Sequence, residues 1–148
     1  MNEDASILVV DDNEDNRYTL TRRLKRMGLK KIVEAENGLE AINKVESQDF
    51  DMILLDIMMP IMDGYEVLKR LRSEKRFLNI PIIMISALSD VEDVVKAIDL
   101  GADDFLLKPF NPVLLRAKVE ASLVKKRLFE IEKNFYRDYD ECTQLAIQ

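Results

Sequence analysis

Residues 52–64, MILLDIMMPIMDG, place a carboxylate inside an apolar run. Asp56 follows Met52-Ile53-Leu54-Leu55 and precedes Ile57-Met58-Met59-Pro60. An ionised carboxylate in such surroundings is costly unless it sits at an edge beside a partner. The four apolar residues read as a strand buried on both faces, and Asp56 as the residue that ends it.

The same pattern recurs along the chain. Ile7 to Val10 reads as a strand followed by Asp11-Asp12, and Ile82 to Ile85 as one followed by Ser86-Ala87. Lys31 to Ala35 is a weaker strand, and Asp104 to Leu107 is a short fifth one followed by Lys108-Pro109. Helical spacing fills the intervals. Glu14 to Met27 carries Tyr18, Thr21, Leu24 and Met27 on one face, with Gly28 as the stop. Leu39 to Glu46 presents Ile42 and Val45, and Tyr65 to Arg72 presents Val67, Leu68 and Leu71. Asp90 is placed to cap a helix with Val91, Val94, Val95 and Ile98, ending at Gly101. Five strand-helix units in alternation predict a doubly wound α/β domain.

Beyond Pro112 neither Gly nor Pro occurs, so one helix is expected to run on toward Gln148. Ala121, Val124, Leu128, Ile131, Phe135, Tyr139, Cys142 and Ala146 recur along it every three or four residues. Such a stripe needs a cover: the helix folds back on its own domain, or it pairs as a dimerisation or signalling helix. Lys125-Lys126-Arg127, a solvated stretch at the domain edge, favours pairing.

Composition excludes several classes. The 148 residues fit one ordinary domain, and the net charge of −6, without a basic block, argues against direct nucleic-acid binding. The chain has no histidine and one cysteine, Cys142. Histidine metal sites, Ser-His and Cys-His catalysis and an intramolecular disulfide are thereby ruled out. No apolar run approaches the roughly 20 residues that span a bilayer, and the start Met1-Asn2-Glu3-Asp4 is acidic, so a cytoplasmic location without membrane insertion is expected.

Asp11, Asp12, Asp56, Ser86 and Lys108 all fall at carboxyl ends of predicted strands, the edge where such sheets gather ligands. Two carboxylates about 4 Å apart repel by about 4 kcal/mol at an effective dielectric near 20. Three acids there call for a cation, and an all-oxygen set favours Mg²⁺. Lys108 suits a phosphate oxygen and Ser86 adds a hydroxyl donor. With a carboxylate nucleophile, these parts describe phosphoryl transfer to an aspartate. Taken singly each has a plainer reading: Asp12 or Asn13 caps the first helix, and Lys108-Pro109 is a solvated turn.

The stretches ILVVDDNEDN, MILLDIMMPIMDG, IIMISA and GADDFLLKPF, in this order and spacing, resemble the response-regulator receiver domain of two-component signalling. The resemblance covers about residues 5 to 123 and implies a flavodoxin-like five-stranded sheet, order 2-1-3-4-5, with five helices. It divides the chain into a receiver, residues 1–123, and a C-terminal helical extension, residues 124–148. By it, Asp56 is the phosphoacceptor, and Asp11, Asp12, Asp56 and the Met58 backbone carbonyl hold Mg²⁺. Ser86, Ala87 and Lys108 bind the phosphoryl group. Ser86 and Phe105 are the switch pair, Gly64 supplies a positive φ, and Lys108-Pro109 is similar to the family's cis peptide.

The implied partners are a sensor histidine kinase or phosphotransfer protein as donor and an output domain or downstream protein as receiver of the signal. A homodimer through the last helix is a third. The implied chemistry is the chain's own phosphorylation and dephosphorylation rather than turnover of a substrate. Met58 and Leu88, apolar where many relatives are polar, are expected to hinder an attacking water. The alternative is a Mg²⁺-dependent aspartyl-phosphate phosphohydrolase, which places a second acid two residues after the nucleophile, where this chain has Met58.

Overall fold

A computed structural model describes residues 3–88 and 90–147, the last six by backbone alone. Five strands, β1 Ser6–Val10, β2 Lys31–Ala35, β3 Met52–Asp56, β4 Ile82–Ser86 and β5 Asp104–Leu107, form one parallel sheet in the order β2-β1-β3-β4-β5. Five helices connect and follow them: α1 Glu14–Arg26, α2 Gly38–Ser47, α3 Gly64–Arg72, α4 Val91–Asp99 and α5 Pro112–Ile147. No helix among the described residues is long and apolar enough to cross a membrane.

The apolar runs are continuous because both faces of the sheet are covered. Ile7, Val9, Met52, Leu54, Ile83 and Ile85 point to one face, where Leu20 and Leu24 of α1 and Leu115 and Val119 of α5 close the core. Their alternates Leu8, Val10, Ile53, Leu55, Ile82 and Met84 point to the other, against Ala41 and Ile42 of α2, Val67 and Leu68 of α3, and Ala97 of α4. A one-residue slip in any central strand would exchange these two faces.

The helices follow the expected chemistry with two corrections. Gly28 and Gly101 take positive φ after α1 and α4, and the backbone N–H groups of Leu29 and Ala102 reach back to the carbonyls of Leu24 and Ala97. Asn13 caps α1 by accepting from Asn16 N–H. Asp90 stands at the N-cap of α4, yet its side chain makes no capping bond. The core face of α1 runs through Arg17, Leu20 and Leu24, while Tyr18 is exposed.

α5 is buried where it covers the sheet, at Leu115, Val119 and Ser122, and every residue from Arg127 to Glu141 is exposed. Val124, Leu128, Ile131 and Phe135 stand more than half exposed, at 57%, 59%, 55% and 64%. Folding back onto its own domain is therefore not how this stripe is covered. The side chains of Cys142 and Ala146, which extend the stripe in the sequence, lie outside the described residues.

Gly64 has a role other than the expected one. It opens α3 in helical conformation, so positive φ is not the requirement. Its N–H donates to the Ile57 carbonyl at 2.7 Å, and a Cβ built there would overlap the Asp56 carbonyl oxygen. The positive φ in this loop belongs to Ile61, at 72°. Gly64→Ala is expected to cost about 2 kcal/mol or more, as for overpacking against backbone. Urea midpoints measure it, and an unchanged midpoint would contradict the close approach.

Candidate functional site

Strand register brings the acids together. Val10 pairs with Leu55, so Asp11, the next residue after β1, lies beside Asp56 at the end of β3. Asp56 pairs with Ile85 and Ser86 pairs with Leu107, which carries the line across β4 to Lys108. The Lys108 backbone N–H donates to the Ser86 carbonyl at 2.9 Å, and the Lys108-Pro109 peptide is cis.

Carboxylate oxygens of Asp11, Asp12 and Asp56 lie within 4.8 Å of one another. Asp11 and Asp56 are buried at 1% and 6% exposure, whereas Asp12 faces solvent. The Lys108 ammonium donates to Asp11 Oδ2 at 2.7 Å and to Asp56 Oδ1 at 3.4 Å. Burial, and then the neighbouring Asp11 charge, push the Asp56 carboxyl up from 3.8 to about 6, against the pull of Lys108.

Ser86 is buried, and its hydroxyl oxygen accepts from Leu88 N–H at 3.1 Å. Ala87, the next residue, is exposed at the lip of the site, and Met58 is 63% exposed on the loop after β3. Phe105 and Leu88 are half-buried and pack on the same side of the sheet, against the core formed with α3 and α4. Asp11, Asp12, Asp56, Met58, Ser86, Ala87, Leu88 and Lys108 thus lie at a strand's carboxyl end or within two residues of it, whereas Phe105 stands within β5 and Gly64 opens α3.

One contributor escaped the sequence reading. Arg17 is 8% exposed and donates through Nη1 to the Asp11 backbone carbonyl at 2.7 Å. Its guanidinium also pairs with Glu34 at 3.4 Å and Glu36 at 3.6 Å, tying α1 to β2 and to the acid-bearing end of β1. The available signal was its spacing, three residues before Leu20 and seven before Leu24, which sets it on the core face.

The family model for the response regulator receiver domain matches residues 7–120. This chain belongs to the response-regulator receiver family. It is similar to the Bacillus subtilis alkaline phosphatase synthesis transcriptional regulatory protein PhoP, 42% identical over 82% of this chain and 50% of that protein. It is 43% identical to a probable transcriptional regulator, ycf27, of Cyanidium caldarium, over 79% of this chain and 45% of the relative. The Helicobacter pylori chemotaxis protein CheY1 is 37% identical and matched over 95% of its length. A solved signal receiver domain of a histidine kinase from Syntrophus aciditrophicus superposes with a TM-score of 0.75 at 34% identity, covering 81% of this chain and 90% of that one.

The chain spans about half the length of the transcriptional regulators it matches. Its function is that of a receiver in phosphorylation-dependent two-component signalling.

The raised Asp56 pKa fixes a sign. In the folded chain Asp56 holds its proton up to about pH 6, whereas the unfolded chain releases it near 3.8. The stability it contributes is present at low pH and is lost as pH rises through that window. Urea unfolding of the wild type and Asp56→Asn, without divalent cations, should show the variant gaining relative stability between pH 4 and pH 7. A relative loss would contradict the assigned shift.

Proposed function

We propose that Asp56 is the phosphoacceptor of this receiver. The observation that carries the reading is its carboxylate at the end of β3, between two further acids and within 3.4 Å of the Lys108 ammonium. The donor set fits a hard cation: three carboxylates share one edge, all ligand atoms are oxygen, and one ammonium is what balances them among the described residues. Asp11, Asp12, Asp56 and the Met58 carbonyl would hold Mg²⁺. Bound there, it would neutralise negative charge on the phosphoryl oxygens.

The chain's own groups then account for the transfer. An Asp56 oxygen attacks phosphorus, the phosphorus–nitrogen bond of a phosphohistidine breaks, and the leaving imidazole keeps the electron pair and takes a proton from water. The Lys108 ammonium turns from the Asp56 carboxylate to a phosphoryl oxygen. The Ser86 hydroxyl and the Ala87 backbone N–H donate to the others, and Phe105 follows Ser86 inward, repacking the surface of α4, β5 and α5. No histidine lies within these 148 residues, so the phosphoryl group comes from outside them, from a histidine kinase, a phosphotransfer protein or a small phosphodonor.

The receiver unit is residues 1–123, and residues 124–148 are an extension toward an output domain or partner protein. The net charge of −6 over the 148 residues argues against direct nucleic-acid contact by this chain. A phosphohydrolase reading is weaker, because Met58 stands two residues past Asp56 and offers no group to exchange a proton.

Intact mass after acetyl phosphate with Mg²⁺ should show one added phosphoryl group in the wild type and none in Asp56→Asn. An unlabelled wild type would overturn the proposal. Met58 and Leu88 set the lifetime of the acyl phosphate by keeping water from ordering for attack. Met58→Asn/Leu88→Glu should lose phosphate at least several-fold faster than the wild type, followed by intact mass over time. Equal rates would reduce the two residues to surface packing.

A further inference from the structure

The exposed part of α5 carries a self-matching seam. Ala121, Val124, Leu128, Ile131 and Phe135 are spaced alternately by three and four residues, the a and d positions of a heptad. All five are exposed in the single chain. The sequence carries the spacing on through Asp138 to Cys142 and Leu145.

The flanking e and g positions hold charges of matched sign. Glu120 and Arg127 occupy g, and Lys125 and Glu132 occupy e. In a parallel, in-register pair each g residue faces the e residue five positions on in the other helix. Glu120 then meets Lys125 and Arg127 meets Glu132, both attractive. Within one helix, side chains five residues apart do not face each other, so this matching serves no purpose inside a single α5.

The two pairs are not equivalent. Glu120 already pairs with Arg116 at 3.1 Å, and Lys125 with Asp103 at 2.6 Å, within the chain. Arg127 and Glu132 have no ion pair between described residues within 4.0 Å, which leaves them to set direction and register. Asp138 at a d position weakens the seam, so pairing depends on concentration.

We propose that the extension of α5 is a dimerisation stem whose occupant is a second copy of this chain, parallel and in register. The argument for a second copy is that one helix supplies both halves of the charge pattern. The inference stands apart from the phosphoryl chemistry.

Light scattering of the full chain across a concentration series tests it, starting from a chain mass of 17.2 kDa. The expected result is a rise toward twice that mass. Leu128→Asp/Ile131→Asp should remain monomeric while still accepting phosphate from acetyl phosphate, which shows that the receiver remains folded. Arg127→Glu should weaken the dimer, and Arg127→Glu/Glu132→Arg should restore it.

In a Cys142→Ser background, Leu128→Cys should cross-link under mild oxidation and Lys133→Cys, on the outer face, should not. A wild-type chain that stays monomeric throughout would overturn the proposal. So would a dimer indifferent to the charge exchange or cross-linked equally at both positions, because its contact would lie elsewhere.

Discussion

Three carboxylates converge where β1 and β3 end, and the Lys108 ammonium reaches two of them, Asp11 at 2.7 Å and Asp56 at 3.4 Å. Like charges this close, two of them buried, repel by several kcal/mol at protein dielectrics. Much of the surrounding structure holds the acids together against that repulsion. Parallel register holds Asp11 beside Asp56, and the approach of Gly64 keeps the Asp56 backbone close to α3. Arg17 secures the carbonyl of Asp11. A site under this strain gains from added positive charge, which the Lys108 ammonium supplies and a bound cation would increase.

β5 links the site to the far end of the domain. Lys108 follows its carboxyl end, while Asp103 and Asp104 stand at its start. Asp104 pairs with Lys118 at 2.7 Å, and Asp103 Oδ1 with Lys125 at 2.6 Å, so both acids hold α5. Asp103 Oδ2 also accepts from Arg72 and from the Ile82 backbone N–H, each at 2.8 Å. Contacts thus run along one strand from Lys108 at its carboxyl end to the root of the α5 extension.

Much of this was legible in the residues. Buried parallel strands need unbroken apolar runs, and the polar residues that end them mark the ligand edge, so Asp11, Asp56, Ser86 and Lys108 stood out. Arg17 did not, because its partner is a backbone carbonyl that the sequence does not display. On α1 the buried stripe lies one residue from the expected one, with Arg17 inward and Tyr18 exposed, since Tyr18-Thr21 and Arg17-Leu20 share the same period. Gly64 was recognised as necessary for a different reason: a close approach between segments depends on tertiary packing, whereas φ preference is local. The positive φ at Ile61 ran against the propensity of a β-branched residue and had no signal at all.

The phosphoacceptor assignment is tested most directly by locating the phosphoryl bond. After labelling with acetyl phosphate and Mg²⁺, borohydride reduces an aspartyl phosphate to homoserine, and peptide sequencing by mass spectrometry places the change. The expected result is homoserine at position 56 alone. Homoserine at position 11 or 12, or a labelled protein with none at 56, would contradict the assignment.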